Sequence, residues 1–268
     1  MPEGAVTWTT DLRGIATVTF NRPERNNAYD DAVVDGLHNA LDALGSASTL
    51  RAVVLTGNGR HFQAGADLSW LESVRAQDRD ANIDASRATA EAVNRLNRLP
   101  IPTIAAVQGA CIGGGTGVIS ACDIVVAANT ATFAISEVRW GLTAAIIVPQ
   151  LVDAIGVRQL RRYALTGERF GADEARRIGL VHEVVDAEDL TNRVAELIDL
   201  LLANGPRAIA ETKSHIFDCA AGQLSDDALT ELVEKHAAKR QSEEAGEGLA
   251  SFHDKRPARW SLKPDAVG

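Results

Sequence analysis

An α/β fold is predicted by the way strand-like and helix-like segments alternate along the first half of this 268-residue chain. Residues 14–20, 51–57 and 103–107 are apolar or alternating runs of strand length. Residues 30–44 and 80–99 have helical character, and the joins are short clusters of Gly, Pro and Asn. Such alternation places functional groups on the connecting loops.

The elements follow in order. Residues 14–20 alternate like a half-buried strand and stop at the turn Asn21-Arg22-Pro23. Val33, Val34, Leu37, Leu41 and Leu44 then fall on one face of a helix. Residues 51–57 form a buried strand ending in Gly57-Asn58-Gly59, and residues 80–99 a polar-faced helix closed by Pro100-Ile101-Pro102. Residues 103–107 are another buried strand, running into a glycine-rich turn. From Arg158 helices dominate, with residues 179–185 briefly extended. Asn204-Gly205-Pro206 reads as a hinge into a final helical portion, residues 207–249, and a basic tail follows at residues 252–264.

Composition narrows the function class. With 46% hydrophobic and 24% charged residues the chain has the make-up of a soluble globular protein. Its net charge of −9 is spread along the sequence, which argues against sequence-independent binding to nucleic acid or an anionic membrane. No leader-like start and no run of about 18 apolar residues is present, so a cytoplasmic location is expected. Cys111, Cys122 and Cys219 lack ligand spacing and are expected to be buried thiols, with neither a disulfide framework nor a zinc site. His61, His182 and His215 form no metal or nucleophile pattern and are expected to be structural or surface residues. Arg158, Arg161 and Arg162 read as a solvated or intersubunit helix face.

Two turns are stripped of side chains, Ala64-Gly65-Ala66 and Gly113-Gly114-Gly115. Glycine and alanine serve where something must approach the backbone closely. Either turn alone is accounted for by tight turning or close packing. If the two meet, main-chain N–H groups from both converge on one oxygen, with help from a helix starting after Gly115. The glycines do not form a phosphate loop of the GxxxxGK[ST] kind or a dinucleotide fingerprint.

The turns belong to a longer ordered set: Asn21-Arg22-Pro23-Glu24 with Asn27-Ala28; Gly59-Arg60-His61-Phe62 with Ala64-Gly65-Ala66-Asp67-Leu68; Val107-Gln108-Gly109 with the glycine triplet; Cys122-Asp123-Ile124; Ser136-Glu137-Val138 with Gly141-Leu142; and Leu165-Thr166-Gly167 with Gly179-Leu180-Val181. In these the chain resembles the crotonase superfamily, or enoyl-CoA hydratase/isomerase family, over nearly its whole length. The resemblance implies an α/β crotonase (ClpP-like) spiral of ββα units over residues 1–204 and a C-terminal helical oligomerisation region at 205–268. It implies a homotrimer or dimer of trimers. The amides of Ala66 and Gly114 would form the oxyanion hole for an acyl-CoA thioester. Ala64, Ala66, Asp67 and Leu68 would line the coenzyme A path. Arg25, Phe252 and Lys255 stand at positions of phosphate and adenine contacts. Arg25 and Lys255 also read as solvated charge, and Asp67 as a helix N-cap. No cofactor is implied, coenzyme A entering only as part of the substrate.

By the same resemblance Glu137 is the catalytic acid/base. Its neighbours Ala131 to Ile135 are apolar, so its carboxyl is expected to be partly desolvated, with a raised pKa. The other glutamate common in family hydratases is replaced by Gly117. The segments SEVRWGL, GGGTG and RRYALTGERF are similar to a bacterial branch containing methylglutaconyl-CoA and isohexenylglutaconyl-CoA hydratases, in which glycine at that place accompanies hydration. Hydration is therefore the expected reaction. The alternatives are a double-bond isomerase and, in a different class, a non-catalytic acyl-CoA-binding protein. Trp70, Leu71, Trp140, Ile146 and Ile147 read equally as acyl-pocket lining and as core.

Overall fold

The computed structural model describes residues 4–220 and 226–261. Two compact units emerge: the chain up to Leu99 with Thr103–Ala195, and Pro100–Pro102 with the described residues from Glu196 onward. The division falls inside a helix, Leu190–Ala203, rather than at Asn204-Gly205-Pro206, where the sequence suggested it.

The first unit carries the strands β1 (Val6–Thr10), β2 (Ile15–Phe20), β3 (Ala52–Gly57), β4 (Thr103–Val107), β5 (Ala110–Ile112), β6 (Ile124–Ala128), β7 (Thr132–Ala134), β8 (Phe170–Gly171) and β9 (Glu183–Val185). Six make one sheet in the order β1-β2-β3-β4-β6-β9, in which only β1 and β2 are antiparallel. The others form a small sheet, β5-β7-β8. Its strands have two or three residues, too few to leave a readable period, and they were not expected from sequence; nor was β1.

Burial explains the patterns. Every residue of β4, and four consecutive residues of β3, is buried, as befits parallel strands covered on both faces. The Cys122-Asp123-Ile124 segment enters β6 through Asp123, whose carboxylate accepts from the Thr103 N–H (2.8 Å) and hydroxyl (3.0 Å), fixing the starts of β4 and β6 together. Between strands run α1 (Asp31–Gly45), α2 (Leu68–Arg75), α3 (Arg79–Asn97), α4 (Gly114–Ser120), α5 (Val148–Thr166) and α6 (Ala172–Ile178), and α7 (Leu190–Ala203) follows β9. Asp30 caps α1 by accepting from the Val33 N–H at 3.1 Å, and the helix buries Val33, Val34, Leu37, Leu41 and Leu44, the face expected from sequence. The second unit contains α8 (Pro206–Ala220), α9 (Asp226–Arg240) and α10 (Glu243–His253). The end of the basic tail, 262–264, lies outside the described residues.

Of the cysteines, Cys111 and Cys122 are buried as expected, whereas Cys219 is exposed near the end of α8, on a surface that its helical period alone does not identify. Among the described residues no helix is long and apolar enough to cross a membrane.

The Asn21-to-Ala28 segment is held by Asn27, which is fully buried in a left-handed conformation (φ 56°). Its amide donates to the Asn58 carbonyl (2.9 Å) and the His61 carbonyl (2.7 Å), and its Oδ1 accepts from the Arg22 N–H (2.8 Å). Asparagine tolerates this backbone, and its side chain supplies all three partners. Asn27→Ala leaves three part-buried backbone groups without their partner and is expected to cost roughly 1–3 kcal/mol. Chemical denaturation of the variant, at unchanged m-value, checks this.

Candidate active site

The two bare turns meet. Gly65 (φ 88°) and Gly113 (φ 54°) both have left-handed backbones, and a Cβ on Gly65 would sit 3.1 Å from the Ile112 carbonyl oxygen and 3.9 Å from the Gly113 Cα. The contact is backbone against backbone, which is why the turns carry so little. Main-chain bonds fix it: Gln63 N–H donates to the Ala110 carbonyl (3.1 Å), and Ile112 N–H to the Gln63 carbonyl (2.9 Å). On the other side Tyr29 N–H donates to Gly65 (2.8 Å), and Asp67 N–H to Tyr29 (2.9 Å). Between these bonds, the N–H groups of Ala66 and Gly114 donate to nothing among the described residues.

Glu137 begins a short 3-10 turn, Glu137–Trp140, soon after β7. A Cβ on Gly113 would lie 3.1 Å from the Glu137 Oε1, so this carboxyl stands at the junction of the turns. Its Oε2 is buried and accepts no hydrogen bond among the described residues. Burial pushes its pKa above the ordinary carboxylate value, against the pull of the Glu137 and Ser136 backbone amides. Phe133, Ala134 and Ile135, all buried, lead into it, as the apolar sequence anticipates.

Both turns and Glu137 line a cavity of about 1200 Å³. Trp70, Leu71, Trp140, Ile146 and Ile147, ambiguous in sequence, all face it. Ile147 also settles the environment of Gly117: a Cβ there would fall 2.2 Å from the Ile147 Cγ2. The space where a side chain would leave α4 is already filled. Gly117→Ala is therefore expected to destabilise the protein by about 1–3 kcal/mol through overpacking, despite alanine's better helix propensity. The paired change Gly117→Ala with Ile147→Val should recover part of the loss in a thermal melt.

The other residues marked by sequence are more dispersed. Ala64, Ala66 and Leu68 line the cavity, Leu68 being half exposed. Asp67 caps α2, accepting from the Ser69 N–H at 3.0 Å, with its second oxygen 3.6 Å from the Arg22 guanidinium. Arg25 ends an exposed 3-10 turn and is not among the cavity-lining residues. Phe252 on α10 and Lys255 just beyond it are exposed and lie in the second unit. His61 and His182 each accept a backbone N–H at Nδ1, from Ala110 (2.9 Å) and Val125 (3.0 Å). His61 also lines the cavity, and burial lowers its pKa. Among the described residues no three His, Cys, Asp or Glu side chains gather as metal ligands.

Sequence reasoning missed Tyr29. It lines the cavity, its ring lies over Gly114, and its edge meets Trp70 with centroids 5.5 Å apart. Burial, then the Glu137 charge, push its phenol pKa up to about 12. Only its position directly after Asn27-Ala28 could have drawn notice.

Comparison with known proteins gives the family of the chain. The sequence profile of the enoyl-CoA hydratase/isomerase family matches residues 10–263. An enoyl-CoA hydratase structure from Shewanella pealeana superimposes with a TM-score of 0.91 at 34% identity, covering 96% of each chain. A mevalonyl-coenzyme A hydratase of Aspergillus fumigatus is 31% identical over 92% of this chain and 91% of its own. A hydroxycinnamoyl-CoA hydratase-lyase of Pseudomonas fluorescens is 35% identical over 77% of this chain and 76% of its own. With profile, sequence and fold in agreement, the chain belongs to the enoyl-CoA hydratase/isomerase family and is an enzyme of the crotonase fold.

Proposed function

We propose that the protein is an enoyl-CoA hydratase, adding water across the 2,3 double bond of an acyl-CoA thioester. The observation that carries this reading is the Glu137 carboxyl at the junction of two turns with unpartnered amides. The Ala66 and Gly114 N–H groups bind the thioester oxygen. Glu137 removes a proton from water as the water oxygen bonds to the β carbon, and the π electrons move to the thioester oxygen as an enolate. The enolate then collapses and takes that proton from Glu137 at the α carbon, so one water is added overall. A carboxyl with a raised pKa suits both steps, and no cofactor is required.

Coenzyme A is proposed to follow Ala64, Ala66, Asp67 and Leu68, with Arg25, Phe252 and Lys255 as phosphate and adenine contacts. Arg60, Arg75, Arg139 and Arg169 line the cavity without an ion pair among the described residues, which supports an anionic ligand. Exposed Ile216, Val233, Leu249 and Phe252 on the helices of the second unit support a role in oligomerisation, as a trimer or dimer of trimers. The SEVRWGL and RRYALTGERF segments support a place near the methylglutaconyl-CoA and isohexenylglutaconyl-CoA hydratases. One observation favours a second reading, double-bond isomerisation: Ile147 fills the place beside Gly117, leaving Glu137 as the one carboxylate named for the chemistry.

Mass spectrometry separates the two. Straight, β-methyl-branched and carboxylated enoyl-CoAs are incubated with enzyme in ¹⁸O-water. Hydration predicts a labelled product heavier by one water, and the best substrate identifies the acyl class. Unchanged mass with a shifted double bond would establish the isomerase.

A further inference from the structure

Among Glu137, the two bare turns and Gly117, one requirement of hydration has no group assigned to it. Glu137 can take one proton from water, but an attacking water has a second hydrogen and must be held against the β carbon. Gly117 offers no side chain, and Ile147 closes that place with hydrocarbon.

Tyr29 is built into the wall of the same cavity. Its backbone is bonded on both sides of Ala66, through Gly65 and Asp67, so its position is fixed relative to one unpartnered amide. It forms an isolated parallel bridge with Ala66. A Cβ on Gly114 would lie 2.6 Å from the Tyr29 Cε1 and 3.3 Å from its Cζ. The Cε1 edge of the ring therefore lies on Gly114, while the Glu137 carboxyl lies on the adjacent Gly113, close enough for its charge to act on the phenol. Trp70 braces the ring, and the Tyr29 hydroxyl has no hydrogen-bond partner among the described residues.

We infer that the Tyr29 hydroxyl holds the reacting water, accepting its second hydrogen while Glu137 takes the first. This rests on the hydratase reading above. The water's oxygen is then left with a lone pair directed at the β carbon. The bonds made and broken are those of the hydration already described: Tyr29 neither gains nor loses a proton overall. The phenol stays protonated at neutral pH, as its environment dictates, and serves as a hydrogen-bonding group rather than as a base.

The inference separates Tyr29 from Glu137 and the amides, because exchange of an α proton needs those groups but no attacking water. Tyr29→Phe keeps the ring and removes only the hydroxyl. Two reactions are followed in wild type and variant: ¹⁸O incorporation into crotonyl-CoA, and α-proton exchange of butyryl-CoA in deuterated water. The expected result is a fall in hydration kcat of about tenfold or more, KM within twofold, and α-exchange within twofold of wild type. Wild-type hydration in Tyr29→Phe would overturn the inference. An equal fall in both reactions would also overturn it, by showing that the ring only supports the amides. A wild-type enzyme that exchanges α protons yet takes up no ¹⁸O would fail the hydratase reading itself, and the water-holding role with it.

Discussion

Glu137→Gln is expected to fold, to bind acyl-CoA, and to lose about 10²–10⁴ of its kcat, the contribution typical of a positioned acid/base. Glutamine keeps the size of the side chain but cannot accept a proton from water and return it to carbon. The same variant is expected to be more stable than wild type at pH 7. Burial raises the Glu137 pKa above the ordinary 4.5, so the folded protein binds more protons than the unfolded chain over the interval above 4.5. Stability then falls as pH rises through that interval, because folding must bury a charge. Glutamine removes the penalty. Thermal melts should therefore show a higher midpoint for the variant at pH 7, the difference shrinking as pH falls towards 4.5. In the wild type, kcat/KM should decline below the raised pKa as the base is protonated.

Ala66→Pro is expected to lower kcat/KM by about 10²–10³, near 3 kcal/mol of lost transition-state stabilisation, with little change in the melt. The substitution is informative because the Ala66 N–H has no partner among the described residues, so proline breaks no internal bond while it removes the donor and sets its Cδ where the thioester oxygen would bind. Ala66 is not among the residues with positive φ, the region closed to proline. Gly114 offers no equally clean test, since any Cβ would strike the Tyr29 ring at 2.6 Å. A variant with wild-type kcat/KM would remove Ala66 from the oxyanion hole.

What the sequence revealed was what short-range pattern can encode. Val33 to Leu44 announce a helix face because their spacing is local, and the buried runs at β3 and β4 announce central strands because both faces are covered. The apolar approach to Glu137 anticipated its desolvation. The bare turns were visible as composition, but that Gly65 abuts Gly113 depends on strands brought together from distant parts of the chain. Tyr29 was illegible for the same reason: its ring meets Gly114, far along the sequence, and no periodicity links them. Gly117 was noticed as a departure from a family pattern, yet its physical cause, the packing of Ile147, has no sequence signature.

In the proposed mechanism one thioester oxygen binds both the Ala66 and Gly114 amides, with Glu137 beside the α carbon. A crystal structure of Glu137→Gln with crotonyl-CoA bound tests it most directly. The thioester oxygen is expected within about 2.7–3.1 Å of both the Ala66 and Gly114 nitrogens, with the residue-137 side chain against the reacting carbons. A thioester bound away from these amides, or with residue 137 turned out of the cavity, would contradict it.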